Sequence, residues 1–140
     1  MKYVLDASVA IKWVIPEKDS DKAAELRAAH ASRLHELLAP DVFPAEIAHA
    51  LTKSERRGAI EPGEAKSRLA LVLRTRLFLH PYLPLLQRAV EIATSIRMGV
   101  WDCLYIALAE KEQCELVTAD ERLLKNVGAK FPVKHLSELI

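Results

Sequence analysis

Two aspartates follow short apolar segments that are typical of buried strands. Asp6 comes directly after residues 3–5, Tyr-Val-Leu, and Asp120 comes just after residues 116–118, Leu-Val-Thr. Parallel α/β sheets bind ligands beyond the carboxyl ends of their strands. We therefore expect both carboxylates at one edge of a sheet.

Two further acids lie where they could reach the same edge. Asp102 opens a predicted helix after a Gly-Val-Trp turn, and Glu46 lies in the first turns of a helix predicted over residues 42–57. Asp6, Asp102 and Asp120 all stand at predicted helix starts, so simple N-capping stays open for each of them. Glu46 fits capping less well, because it lies inside a helix among apolar neighbours and a buried carboxylate needs a partner.

Clustered carboxylates repel each other and raise one another's pKa unless a cation lies between them. Hard divalent ions such as Mg²⁺ and Mn²⁺ take oxygen ligands and relieve that repulsion. Such an ion activates water and neutralises charge that builds on a phosphodiester. The acids therefore predict metal-dependent phosphodiester hydrolysis, with one ion or two.

The elements that would position these acids alternate along the chain. Extended segments are predicted at residues 3–5, 36–39, 77–79, 116–118 and 133–135. Helices are predicted between them from apolar residues at helical spacing, with Ser20 as an N-cap and with Gly58 and Gly128 as helix ends. This alternation predicts a parallel sheet with helices on both faces.

The bulk composition places limits on the class of protein. A chain of 140 residues that is 51% hydrophobic suits one globular domain, and its net charge of +1 gives no overall attraction to nucleic acid. Asp6 and Lys12 interrupt the apolar stretch that a signal peptide needs, and charges and prolines interrupt residues 69–86. We expect a cytoplasmic protein without a membrane span.

Cysteine and histidine usage argues against a disulfide and against zinc. Cys103 and Cys114 are predicted on one helix, where eleven residues span roughly 16 Å. Two disulfide-bonded Cα atoms lie within about 7 Å of each other. The five histidines show no zinc-binding spacing.

Four ordered motifs give the chain a resemblance to a known family. They are VLDASVAIKW with Asp6, PAEIAHAL with Glu46, GVWDCLYIALAE with Asp102, and LVTADERL with Asp120. In order and separation they resemble the PIN domain, and in particular the VapC-type toxins of prokaryotic toxin–antitoxin pairs. The resemblance covers nearly the whole length and implies one PIN-like nuclease domain over residues 1–140, a three-layer α/β sandwich with a mostly parallel sheet.

The resemblance also implies an activity, a cofactor and partners. Asp6, Glu46, Asp102 and Asp120 would bind Mg²⁺ or Mn²⁺, directly or through water, to hydrolyse RNA. Ser8 and Thr118 match positions where a hydroxyl often supports the acids, although a turn or capping role stays equally open. A homodimer and a VapB-like antitoxin are the implied protein partners.

The motif around Asp102 departs from the family pattern, because Val100 and Trp101 stand where a small or hydroxylated residue and a tyrosine are more common. Trp101 could stack on an unpaired base, but the area that a tryptophan buries favours a place in the core. His49 could donate a proton, but a lone histidine is more often structural, so we predict that role for it.

Basic residues near the acids are candidates for holding RNA phosphates. Lys53, Arg56 and Arg57 follow Glu46 on its predicted helix, and Arg74 and Arg76 form a second basic spot. An ordinary solvated helix face is an equal alternative for both groups. Apolar residues 13–15 and 77–79 belong either to the core or, if exposed, to an interface.

Other enzyme classes fit the sequence poorly. A phosphatase of the haloacid dehalogenase type needs a second aspartate where Ser8 stands, and a receiver domain needs an acidic pair near the first strand. The alternative that stays open is a PIN-like module that binds RNA or a protein without cleaving, with its acids serving as caps.

Overall fold

A computed structural model describes residues 1–139 and shows a five-stranded sheet in which every strand pair is parallel. The strand order is β3-β2-β1-β4-β5. The strands are β1 (Lys2–Leu5), β2 (Glu36–Pro40), β3 (Phe78–His80), β4 (Glu115–Thr118) and β5 (Val133–His135). The predicted parallel sheet is confirmed, and the third strand begins one residue later than expected.

Helices connect all of these strands. They are α1 (Ala7–Ala10), α2 (Ser20–Ala31), α3 (Phe43–Arg56), α4 (Glu64–Leu73), α5 (Leu86–Ile96), α6 (Val100–Lys111) and α7 (Glu121–Val127). The chain moves outward from β1 to β2 and β3, then returns across the sheet to β4 and β5. Right-handed crossovers place α1–α4 on one face of the sheet and α5–α7 on the other. Strands β2 and β3 are added on one side of β1, and β4 and β5 on the other side. We call the boundary between β1 and β4 the reversal point of the sheet.

The core lies on both faces of the central strands. Val4 and Leu5 of β1 and Leu116 and Val117 of β4 are all fully buried. Residues 103–109 of α6 are buried around the whole helix, because α6 packs against the sheet and against α5. An apolar surface on all sides is typical of such an enclosed helix.

Most predicted helix ends are confirmed, and one predicted cap is wrong. Gly58 and Gly128 follow α3 and α7 with φ of +79° and +57°, a conformation that glycine adopts without strain. Ser20 does begin α2, but Asp19 occupies the cap position and the Ser20 hydroxyl accepts the Glu17 N–H at 2.9 Å. The serine therefore closes the turn before the helix instead of capping it.

The prediction that one helix carries both cysteines is also wrong. Helix α6 ends at Lys111, so Cys103 lies in the helix and Cys114 lies in the turn that follows. Both are free thiols, as expected. Among residues 1–139, no single helix is long and apolar enough to cross a membrane.

The centre of the sheet should dominate the stability of the fold. Leu116→Ala removes a fully buried side chain from β4 and should lower the free energy of unfolding by about 2–5 kcal/mol. Leu83→Ala, at a leucine that is 68% exposed, is the control and should change it by less than about 0.5 kcal/mol. Urea unfolding followed by circular dichroism measures both values, and equal losses would contradict this view of the core.

Candidate active site

The Asp6 carboxylate is buried at the carboxyl end of β1, where two hydroxyl groups hold it. The residue is 7% exposed. Its Oδ2 accepts hydrogen bonds from the Ser8 hydroxyl at 2.6 Å and from the Thr118 hydroxyl at 2.9 Å. Asp6 stands at the N-cap position of α1 but makes no capping hydrogen bond, so capping does not explain this residue.

Ser8 and Thr118 also fix the loop that follows β4. The Ser8 Oγ accepts the Ala119 N–H at 3.0 Å, and the Thr118 Oγ1 accepts the Asp120 N–H at 3.0 Å. Each hydroxyl therefore has the turn role that was left open in the prediction, because it accepts a backbone N–H of the loop. Each hydroxyl also donates its one proton to Asp6. Together they join the carboxyl ends of the parallel strands β1 and β4 at the reversal point of the sheet.

Asp120 is the one acid for which helix capping is correct. Its Oδ1 accepts the backbone N–H groups of Arg122 at 2.9 Å and Leu123 at 3.3 Å, so it caps α7. The same carboxylate is close enough to Asp6 and Asp102 for its charge to raise the pKa of both. Asp120 therefore stabilises a helix and contributes charge to the acidic cluster.

Asp102 lies in the first turn of α6 and does not cap it, because Gly99 occupies the cap position. The pKa of Asp102 is raised from 3.8 to about 6, mainly by burial and in addition by the charges of Asp6 and Asp120. Arg122 opposes the rise with the smallest effect of the four. Asp102 thus lies in an environment that disfavours its charged form.

Glu46 reaches the cluster from α3, on the opposite face of the sheet from α6. Its Oε1 is buried and has no hydrogen-bond partner. The pKa of Glu46 is raised from 4.5 to about 7, mainly by burial and in addition by the charges of Asp6 and Asp102. The structure therefore brings Asp6, Asp102 and Asp120 within electrostatic reach of one another, and it brings Glu46 within reach of Asp6 and Asp102.

Tyr105 also belongs to this site, although it was not among the predicted site residues. It is 1% exposed, and its hydroxyl lies near Glu46 and lowers the pKa of that residue. Neither the hydroxyl nor the Glu46 Oε1 makes a hydrogen bond of standard geometry. The available signal was spacing, because a tyrosine three residues after Asp102 lies on the same face of the helix.

The donor set fits a hard divalent cation that keeps part of its water shell. Among residues 1–139, no group of three or more His, Cys, Asp or Glu side chains is arranged so that it could hold a metal ion as it stands. Mg²⁺ usually takes one or two carboxylates and several waters, and the unpartnered Glu46 Oε1 beside other carboxylates suits such binding.

An open cleft of about 590 Å³ adjoins the acids and shares Glu46 with them. Its other lining residues are Asp41, Val42, Ala45, His49, Tyr82 and Trp101. The expectation that Trp101 lies in the core is wrong, because this side chain is 60% exposed. His49 is exposed on the cleft wall, which does not fit the structural role predicted for it.

The predicted phosphate-binding residues lie apart from this cleft. Lys53, Arg56 and Arg57 are exposed near the C-terminal end of α3. Lys53 is seven residues beyond Glu46, or about 10 Å along the helix axis. The structure therefore does not bring these basic side chains to the acids, and any contact with RNA would involve phosphates farther along the strand.

Comparison with known proteins identifies the family. A family model described as PIN domain matches residues 3–130, a span that contains all four acids. This chain belongs to the PIN-domain family. Ribonuclease VapC3 of Pyrobaculum aerophilum is 35% identical over 134 residues, which cover 94% of this chain and 96% of that protein. Ribonuclease VapC9 of Mycobacterium tuberculosis is 32% identical over 130 residues, which cover 93% and 94%.

The fold comparison agrees with the family. A crystal structure of VapBC2 from Rickettsia felis, bound to a DNA fragment from their promoter, matches with a TM-score of 0.67 at 19% identity. The match covers 96% of this chain and 98% of that chain. The predicted PIN-like sandwich is thereby confirmed.

The hydroxyl groups around Asp6 should stabilise the fold. Thr118→Val keeps the shape of a fully buried side chain but removes a donor to Asp6 and the acceptor for the Asp120 N–H. We expect the free energy of unfolding to fall by about 1–3 kcal/mol. Thr94→Val, at an exposed position of α5, is the control. If urea unfolding shows equal stability for both variants, these hydrogen bonds do not matter for the fold.

Burial of Glu46, together with the charges of Asp6 and Asp102, should make stability depend on pH. Its folded pKa of about 7 exceeds its ordinary value of 4.5, so the native state binds the proton more tightly and stability falls as pH rises from about 4.5 to 7. Glu46→Gln removes this charge. In chelator, we expect Glu46→Gln to melt at a higher temperature than the unsubstituted protein at pH 8, and at a similar temperature at pH 4.5.

The control for this experiment is Glu25→Gln, at an exposed position of α2. It should follow the unsubstituted protein at both pH values. The measured quantity is the difference in melting temperature between Glu46→Gln and the unsubstituted protein. If this difference is no larger at pH 8 than at pH 4.5, the charge of Glu46 does not destabilise the fold.

Proposed function

We propose that this protein is an endoribonuclease that acts as the toxin of a toxin–antitoxin pair. The observation that carries the proposal is the convergence of four carboxylates at the reversal point of the sheet, where burial and mutual charge raise the pKa of Asp6, Glu46 and Asp102. Relatives named VapC ribonucleases align over more than nine-tenths of the chain, which supports RNA as the substrate.

We further propose that Asp6, Glu46, Asp102 and Asp120 hold Mg²⁺ or Mn²⁺, directly or through water. When bound, such an ion supplies a lowered pKa for water and positive charge for the phosphodiester. The chain contributes a carboxylate whose position is fixed, because Ser8 and Thr118 both donate to Asp6 Oδ2. Asp120 is restrained in turn by the start of α7.

Glu46 must give up a proton to help hold a cation. Burial and the charges of Asp6 and Asp102 raise its pKa to about 7 while no cation is bound, and a carboxyl binds a metal only in its charged form. The neighbouring Tyr105 hydroxyl stays protonated because burial and the Glu46 charge raise its pKa. It can therefore donate a hydrogen bond to the carboxylate form of Glu46.

The proposed RNA contacts and protein partners follow from exposed surfaces. Lys53, Arg56 and Arg57 would hold phosphates beyond the cleaved bond, since α3 carries them outward from Glu46. Phe78 and Leu79 are 51% and 44% exposed on the edge strand β3, which suits burial in a homodimer or against an antitoxin. Solved VapBC structures share the fold, which supports a VapB-like partner.

A binding module without cleavage is the second candidate. The capping role of Asp120 favours it, because this acid has a structural reason to be present without any metal. Asp6 and Glu46 do not share that explanation, since neither makes a capping hydrogen bond. The cleavage assay below separates the two candidates.

The test is cleavage of a mixed pool of structured RNA by the purified protein with Mg²⁺, with Mn²⁺ and with chelator. We expect cutting only with metal, and a loss of at least about a hundredfold for Asp6→Asn and for Asp102→Asn, because each removes charge from the acidic cluster. Asp21→Asn, at an exposed position of α2, is the matched control and should cut normally. Folded protein that cuts under none of these conditions would favour the binding module.

A further inference from the structure

Trp101 is an exposed aromatic side chain directly beside the acidic site. It lies in the first turn of α6, immediately before Asp102, and 60% of its surface is exposed. A second aromatic residue, Tyr82, lines the same cleft and is 40% exposed. Two large exposed rings at one concave surface are typical of a binding site more than of random surface composition.

The charge of the cleft determines which part of a nucleic acid it suits. The lining residues include two carboxylates, Asp41 and Glu46, and no lysine or arginine. Phosphate groups would be repelled there, whereas a neutral planar group would be accepted. Val42 and Ala45 add apolar surface from the α3 side.

The polar groups of the cleft can form hydrogen bonds with the edge of a nucleobase. Asp41 is fixed in place because its Oδ1 accepts the Tyr82 N–H at 3.0 Å. Carboxylate oxygens accept hydrogen bonds from base amino groups, and the exposed His49 ring offers a donor or an acceptor. The aromatic rings supply the stacking surface that single-stranded RNA recognition uses.

We propose that this cleft binds one unpaired nucleobase of the RNA substrate, stacked on the Trp101 indole. The base belongs to a nucleotide next to the cleaved bond, because Glu46 lines both the cleft and the acidic cluster. This inference rests on the proposed ribonuclease function and deepens it. It favours single-stranded RNA, such as a loop, as the substrate, since an unpaired base is free to stack on an aromatic side chain.

The direct test uses the fluorescence of Trp101 itself. The chain contains two tryptophans, Trp13 and Trp101, so Trp13→Phe leaves Trp101 as the reporter. Asp120→Asn is added to stop cleavage, since asparagine is also a favoured N-cap and keeps α7 in place. The probes are a twelve-nucleotide oligoadenylate and an abasic ribose-phosphate oligomer of about the same length, with RNA binding followed separately by fluorescence anisotropy of a labelled RNA end.

We expect the oligoadenylate to quench Trp101 fluorescence and the abasic oligomer to leave it unchanged. Trp101→Ala should bind oligoadenylate roughly ten- to a hundredfold more weakly, while Trp101→Phe should keep most of the affinity. The proposal is overturned if RNA does not bind, if it binds without quenching, or if the abasic oligomer quenches equally. Quenching by N-acetylphenylalaninamide but not by RNA would also overturn it and would assign the cleft to a protein side chain.

Trp13 donates a hydrogen bond to the Ala23 carbonyl at 2.8 Å, so Trp13→Phe can weaken the fold. If that variant does not fold, the Asp120→Asn protein labelled with 5-fluorotryptophan gives two fluorine NMR signals. Trp101→Phe assigns them. Oligoadenylate should shift the Trp101 signal and leave the Trp13 signal in place, and a Trp101 signal that does not move would overturn the proposal.

Cleavage kinetics separate this inference from the proposed function. If the unsubstituted protein cuts RNA and Trp101→Ala has an unchanged kcat/KM, the ribonuclease proposal is supported and the proposed base site is rejected. If Trp101→Ala raises KM with little change in kcat, the base site is supported. If the unsubstituted protein does not cut but oligoadenylate still quenches Trp101, the ribonuclease proposal fails and the base site stands.

Discussion

The repulsion among carboxylates buried at one end of the sheet is the constraint on which the rest of the structure depends. Removing an ionised carboxyl from water is unfavourable, and placing several together adds to the cost. Glu46 shows both effects, since burial and the charges of two neighbouring acids raise its pKa to about 7. The rest of the fold must be stable enough to offset this cost, and a bound cation would relieve the repulsion.

The scaffold is the reversal point of a parallel sheet. The strand order places β1 beside β4, and the crossovers on either side of them run in opposite directions. Asp6 and Asp120 follow these two strands, while Glu46 and Asp102 come from helices on opposite faces. Because the two strands are fully buried at their centres, the acids are held by the most rigid part of the fold. The hydroxyls of Ser8 and Thr118 then fix the direction of Asp6.

Much of this arrangement could be predicted from the sequence, because it depends on regular patterns. The predicted extended segments coincide with all five strands to within one residue at each end, and the position of an acid after a strand predicted the place of Asp6 and Asp120. The capping alternative could not be decided in this way, since Asp is favoured at a helix start whether or not its side chain makes the bond. Asp120 makes that bond and Asp6 does not, which depends on contacts between distant strands.

Two aromatic residues show where sequence patterns stop being informative. Trp101 and Tyr105 lie on the same helix and are both large, so composition assigns each to the core. The structure buries Tyr105 beside Glu46 and leaves Trp101 60% exposed beside a cleft. The difference arises from how α6 is rotated against the sheet and α5. The spacing from Asp102 points to Tyr105, but no local pattern marks Trp101 as exposed. The burial of each side chain in the structure shows that Tyr105 lies with the acids and that Trp101 lies on the open surface.

The most direct test of a cation-binding acidic site is calorimetric titration of the metal-free protein with Mn²⁺ at pH 6.5, in two buffers with different ionisation enthalpies. Carboxyl groups with a raised pKa must lose their protons to bind a metal. We predict that Mn²⁺ binds with net proton release and that its affinity is much weaker for Asp6→Asn. Absence of binding, or binding that releases no proton and persists in Asp6→Asn, would contradict this prediction.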